Sequence, residues 1–450
     1  MAMLGLKDAT TGVYTNYLAR FAGQEPRPAW LHALRRQAFG RFTELGFPHH
    51  KQEGWRQTNM AAVAEAVYEP QPPPPPAKLV PQLRALELPG VDWSAGATRL
   101  VFVNGVYAAG LSALGPEAAG CRIGSLAERF ATTDLSAHFN HADEVDQAFV
   151  QLNTAFLADG ALIEVPAGKV LQQPIAVLYL TLGTSGAAVA QGEAQGIAQP
   201  RSLMLLGAGS QACVIETFAG LESERYLTNS VVSIELGDNA QLEYTRIEQE
   251  SGRSVHVSKL RTRQGRDSRL VAHNIALGGG LVRNNVHSIL DGEGAECTLN
   301  GLYTLTGTQH VDNSTVLDHA RPLGTSREYY KGVLDGKSVG VFNGRIIVRP
   351  DAQHTDAIQS NKNLLLSDSA ATLSSQPQLE IYADDVRCTH GATVGQLDQE
   401  ALFYLRSRGL GLEQSRKLLV YAFAADVLGR VRTPGLREKL EALLWTRWAV

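Results

Sequence analysis

The sequence predicts a mainly β protein that begins and ends in helix. Three observations predict it: an amphipathic repeat between Pro28 and Leu45, a long succession of short β-like runs after Arg99, and renewed helix signals after Asp398. They divide the chain into an N-terminal helical region (1–98), a β core (99–396) and a C-terminal helical domain (397–450).

In the first region Leu31, Leu34, Ala38, Phe42 and Leu45 recur at intervals of three and four, which lines one helix face, and Gly46 and Pro48 end the helix. The run Pro72 to Pro76 can donate no backbone hydrogen bond and favours an extended polyproline spacer. After Arg99 the runs Leu100 to Val103, Ile175 to Leu180, Ser202 to Leu206, Val231 to Leu236, Leu270 to Ile275, Val286 to Leu290 and Ile346 to Val348 are punctuated by Gly, Asn and Asp. Ser233-Ile234 leads into Gly237-Asp238-Asn239-Ala240, and Ser288-Ile289 leads into Gly292-Glu293-Gly294-Ala295. Many short strands with recurrent glycine corners fit a β-helix or a sandwich. At the far end Asp398 caps a helix stopped by Gly409, a second runs from Leu412 to Leu428 before Gly429, and Thr433-Pro434 opens a third. Its stripe of Leu436, Leu440, Leu443 and Leu444 serves packing or docking.

Composition narrows the function. The 450 residues are 44% apolar, enough to bury a sizeable core. Lys and Arg total 41 against 45 Asp and Glu, so the charge of -4 gives no case for a nucleic-acid or anionic-membrane partner. The apolar stretch from Ile175 to Leu182 falls short of the roughly 18 residues of a spanning helix. Met1 to Thr10 lacks the pattern of an export signal, so a cytoplasmic protein is expected. The four cysteines, Cys121, Cys213, Cys297 and Cys388, are widely separated and form no metal-binding pair, so reduced thiols are expected.

Few residues offer chemistry. Leu379 to His390 reads as a strand in which Val386, Cys388 and His390 share a face, placing a thiol beside an imidazole. Two ligands are too few to hold a metal alone, and the plain alternative is a small buried Cys388 and a hydrogen-bonded His390. Asp384 and Asp385 would point to opposite faces, which disfavours a paired acid and base and suits turn residues. Gly336-Lys337-Ser338 ends like a phosphate-binding loop, but Lys331 occupies the position of that loop's first glycine. No Gly-x-Ser-x-Gly elbow stands out, and no acid-base cluster suits a carbohydrate-active β-helix enzyme.

A series of segments resembles one family. Tyr329-Tyr330-Lys331-Gly332, Val341-Phe342-Asn343-Gly344-Arg345, Gln359-Ser360-Asn361-Lys362-Asn363-Leu364-Leu365-Leu366-Ser367, Pro377-Gln378-Leu379-Glu380-Ile381, Asp384-Asp385-Val386, Cys388-Thr389-His390-Gly391-Ala392-Thr393 and Phe403-Tyr404-Leu405-Arg406-Ser407-Arg408-Gly409 are similar to successive signatures of the SufB/SufD family of iron-sulfur cluster assembly proteins. Weaker likeness runs upstream through Lys51 to Thr58, Phe102 to Gly105 and Leu152 to Phe156. Gly391 resembles the SufD branch, since SufB chains carry glutamate there, and Ala370 to Ser375 lacks the SufB cysteine.

The resemblance implies a right-handed parallel β-helix flanked by helices. It implies a scaffold that is not an enzyme, pairing with SufB through the β-helix and with the SufC ATPase through the C-terminal helices, around Phe403, Tyr404, Arg406 and Arg408. The sulfur donors SufE and SufS would act indirectly. His390 and Cys388 would contribute to a site for a transient iron-sulfur cluster completed by SufB, or else serve the fold of a purely structural adaptor. No nucleotide is expected on this chain, a reduced flavin on the complex is possible, and a homodimer is possible in isolation.

Overall fold

The computed structural model describes residues 11–23, 28–75, 79–81, 83, 86–144, 147–190, 192–221, 224–366, 370–433 and 435–447. Met1 to Thr10, Pro76, Ser367 and Pro434 lie outside them. The core is a parallel β-solenoid. Successive strands alternate between two sheets, so each pairs in parallel with the strand two places on: Val231 aligns with Lys259, Lys259 with Asn285 and Asn285 with Ser314 in one sheet. In the other, Arg246 aligns with Asn274, Asn274 with Gly301 and Gly301 with Tyr330. A single coil leaves both faces of its strands open, and stacking buries the inward side chains of neighbours together. The interior holds Leu100, Val177, Met204, Ile234, Leu260, Val286, Leu317, Phe342 and Ile346.

One corner recurs in every stacked coil. Gly168, Gly209, Asn239, Asp267, Gly294, Leu323 and His354 all have φ between 54° and 71°. Each donates its amide hydrogen to a carbonyl of the following coil, through Ala208, Asp238, Arg266, Glu293, Pro322, Gln353 and Asp385 in turn, at 2.7 to 3.1 Å. The two matched turns of the sequence are members of this ladder. Left-handed backbone costs little for Gly and is eased for Asn, Asp and His, whereas Leu323 carries the steric penalty in full.

The two ends of the solenoid differ. At the N-terminal end both sheets finish on a short antiparallel strand: Val106–Tyr107 turns back on Thr98–Val103, and Arg122–Ser125 on Ala161–Val165. The first hairpin turns at Asn104 and Gly105, both at positive φ, and Asn104 accepts from the Leu182 amide at 2.7 Å and donates to the Gln71 carbonyl. At the C-terminal end the sheets finish on Thr372–Ile381 and Arg387–Gly395, with no further strand among the described residues.

Helices clothe the outer faces. The helix Ala29–Leu45, ended by Gly46, packs with Ala148–Ala155 against Ile197, Leu227 and Val257 of one sheet. Asn153 donates to the carbonyls of Pro200 and Asn229, and Arg201 donates to Thr154. Trp55 stacks under the Arg283 guanidinium, and Thr58 donates to Asp312. The segments Lys51 to Thr58 and Leu152 to Phe156 thus bolt the N-terminal region to the solenoid. Pro72 to Pro75 forms no helix or strand.

At the C-terminus Asp398 accepts from the amides of Glu400 and Ala401 and caps Gln399–Ser407, followed by Leu412–Leu428 and Leu436–Arg447. Val420, Ala424, Val427, Leu436, Leu440 and Leu444 pack on Ile247, Ile275, Leu302 and Val333 of the second sheet. A fully buried aliphatic side chain contributes about 1.5 to 3 kcal/mol, so this helix pair is firmly seated. The leucine stripe therefore serves packing. Among the described residues no helix is long and apolar enough to cross a membrane.

Candidate functional site

The expected single strand from Leu379 to His390 is in fact two strands of different sheets. Thr372–Ile381 ends before a corner at residues 382–386, and Arg387–Gly395 begins after it. Val386 therefore does not share a strand with Cys388 and His390. Asp384 and Asp385 are exposed corner residues, and Asp385 is paired with His354 at 3.0 Å. The corner holds neither glycine nor proline, and its one signal in the sequence is Asp384-Asp385, whose reading as turn residues the structure bears out.

Cys388 and His390 do share a face. They align with Ala357 and Gln359 of Asp356–Leu365, whose side chains are buried in the solenoid, so both project from the inner face of the last coil. Elsewhere that face is sealed by the next coil. Here Cys388 is half-buried, whereas His390, Ala392 and Val394 are exposed. Burial pushes the Cys388 thiol up, against a smaller opposing effect of the Ala357 backbone, so a thiolate is not ready-made in the free chain. The same residue packs against the apolar core. Gly391 faces outward, and a Cβ there would meet nothing within 4 Å, so packing does not require glycine at that position. Among the described residues no group of three or more His, Cys, Asp or Glu could hold a metal ion.

Beneath the open coil lies a polar layer built on Gln359, Asn361 and Asn363, which belong to one of the quoted signatures. Gln359, Asn361 and Asn363 alternate inward along one strand. Asn363 donates to Asn361 at 2.6 Å, Ser375 donates to Asn361 at 2.9 Å, and Tyr303 donates to Asn363. Gln359 donates through Nε2 to Glu328 Oε2 at 2.5 Å. Burial pushes the Glu328 carboxyl up to about 7. The Gln-x-Asn-x-Asn spacing has the strand period, which was the available signal.

Of the predicted docking residues, Phe403, Tyr404 and Arg406 lie on Gln399–Ser407, and Arg408 is the residue that ends it. Phe403 is 74% and Tyr404 56% exposed, the Arg408 guanidinium sits 5.1 Å from the Tyr404 ring, and Arg406 is exposed. Large exposed aromatics side by side mark a surface suited to a partner. Tyr329 and Lys331 instead anchor the neighbouring helix: Lys331 Nζ donates to the Phe423 carbonyl at 2.9 Å, and the Tyr329 hydroxyl donates to Asp426 at 2.6 Å. Gly336 to Ser338 is a corner between strands, with Ser338 buried and no helix following, so it makes no phosphate cradle.

A groove of about 740 Å³ lies elsewhere, beside the N-terminal coils, and none of these residues lines it. Its charges are already paired, Arg122 with Glu164 at 3.0 Å, His138 with Glu235 at 2.7 Å and Arg263 with Asp291 at 2.5 Å. It therefore offers a ligand little that is unsatisfied.

Comparison with known proteins agrees with the motif series. Residues 188–423 match the family described as SUF system FeS cluster assembly, SufBD core domain, and residues 14–177 match the SufBD protein N-terminal region. The chain is 31% identical over 402 residues to the iron-sulfur cluster assembly protein SufD of Escherichia coli, covering 89% of each. It is 30% identical over 409 residues to an iron-sulfur cluster assembly SufBD family protein of Synechocystis sp., covering 88% of this chain and 86% of the relative. It is 24% identical over 446 residues to SufD of Bacillus subtilis, covering 95% and 96%. With both regions matched in order and the likeness running nearly end to end, the chain belongs to the SufBD family of the SUF iron-sulfur cluster assembly system.

Proposed function

We propose that this chain is a SufD-type, non-ATPase scaffold subunit that pairs with SufB through the open end of its solenoid and docks the SufC ATPase through Gln399–Ser407. One observation carries the reading: two ligand-capable residues, Cys388 and His390, stand on the inner face of a terminal coil that no further strand covers among the described residues. A nascent cluster is the cargo. His390 would supply nitrogen, and thiolate and carboxylate groups of SufB would complete the site, a mixed ligation that iron accepts. Cys388 is the second choice, since its thiol must first lose a proton that burial retains. ATP binding by SufC would move Gln399–Ser407, and the firmly seated helices behind it would pass that motion to the solenoid as a rigid body. Without SufB, the same open end would accept a second copy of this chain.

The test is to co-express the chain with SufB and SufC, purify anaerobically, and follow the cluster absorption band. His390→Ala is expected to form the three-subunit complex and lose most of the band. Assembly at the wild-type rate would remove the ligand role. A second reading, the structural adaptor, is favoured by the packing of Cys388 against the core. Full activity in a Cys388→Ala, His390→Ala double variant would establish it.

A further inference from the structure

We propose that Gln359 and Glu328 are positioning residues for His390, in that the Gln359 amide, oriented by the Glu328 carboxylate, accepts the ring N–H of His390 and leaves the outward ring nitrogen free to bind iron. The inference rests on the ligand role proposed above.

The three residues form one inward column on successive strands: Glu328 aligns with Gln359, and Gln359 with His390. Neighbouring strands lie about 4.8 Å apart, so side chains stacked along such a column reach one another. Gln359 is 1% exposed and its Nε2 is committed to Glu328 Oε2 at 2.5 Å. An ionised carboxylate can only accept, which fixes the amide with its nitrogen toward Glu328 and its oxygen away. That oxygen, Oε1, is buried and has no hydrogen-bond partner. A buried acceptor left unpaired costs about 1 to 3 kcal/mol, so a donor is wanted there. The space for the amide is reserved by Gly344, where a Cβ would fall 2.1 Å from Gln359 Nε2.

In the free chain the His390 ring is exposed to water. Covering the open end expels that water and turns the ring onto Oε1. A neutral imidazole has one N–H and one lone pair, so once the N–H is held from within, the lone pair faces the cluster. Hydrogen-bond acceptors held behind the ring in this way fix orientation and tautomer in other metal-bound histidines.

The experiment uses the anaerobic complex with SufB and SufC at pH 8, where Glu328 is ionised, loaded with iron and sulfide. Cluster yield is read from absorption, and imidazole nitrogen coupling to the reduced cluster from pulsed EPR. Gln359→Leu keeps the size and removes the acceptor, and is expected to lower yield about tenfold and weaken the coupling while the complex still assembles. The exchange Glu328→Gln with Gln359→Glu restores a donor to the column's inner bond and an acceptor toward His390, and is expected to recover both signals. Equal coupling in the wild type and Gln359→Leu would overturn the positioning role and leave the ligand role standing. Failure of the exchange to recover the coupling would also overturn it. Absence of imidazole coupling in the wild type would overturn the ligand role and this inference together.

Discussion

Lys331 Nζ and Asp426 Oδ2 lie 2.7 Å apart across the seam between the solenoid and the C-terminal helices. Lys331 is otherwise buried beneath Phe423, whose ring lies 4.3 Å from the ammonium, and its hydrogen bond holds the Asp426 carboxyl below its ordinary range. Asp426→Ala would leave that ammonium with the Phe423 carbonyl and the rings of Phe423 and Tyr329. Because Asp426 is half in solvent, the expected loss is about 2 kcal/mol, below that of a fully buried pair. Urea denaturation measures it, and faster amide exchange in Leu412–Leu428 locates it.

Leu323→Gly is expected to stabilise the protein. Leu323 sits at φ 61° with its side chain 48% exposed, so relief of the left-handed penalty, about 1 kcal/mol, outweighs the lost contacts and the added chain entropy. A lower midpoint in urea than the wild type would contradict this.

Phe403→Asp should separate docking from folding. The ring makes little packing contact within the chain, so the melting temperature should stay within a degree or two. Affinity for SufC should fall at least tenfold if Phe403 anchors the contact, read by titration calorimetry.

Glu328→Gln isolates one titration. The folded carboxyl ionises near pH 7, above its unfolded value, so the native state binds the extra proton between pH 4.5 and 7. Wild-type stability relative to the variant should therefore be full below pH 4.5 and fall as pH rises to 7, by about 3 kcal/mol, then stay level. Denaturation curves across that range check the sign and the plateau.

Legibility followed the chemistry of the interior. Ile175–Thr181 and Arg201–Leu206 are buried aliphatic strands and read as such. Gln241–Gln249 and Thr325–Leu334 do not, because Arg246, Glu248 and Glu328 point inward and a charged residue in sequence suggests surface. The shared face of Cys388 and His390 was readable because strand parity is strict over two residues. Parity could not show the corner before Arg387, nor that the inner face of this coil lacks a cover, since both depend on what stacks where. Helix caps at Asp398 and Gly409 are local and were readable outright.

The two ends of the solenoid differ as a terminated chain differs from a growing one. Reversed strands at the N-terminal end act as terminators, refusing further parallel addition. Among the described residues the coil at Arg387–Gly395 has a neighbour on one side alone, so it lacks one of the nearest-neighbour energies that hold every coil behind it. It should open first, with amide exchange spreading inward from His390. A subunit that stacks upon it supplies the missing energy in one step, so ordering of the last coil and capture of the partner become a single transition, and the measured affinity is the contact energy less the cost of stilling that coil.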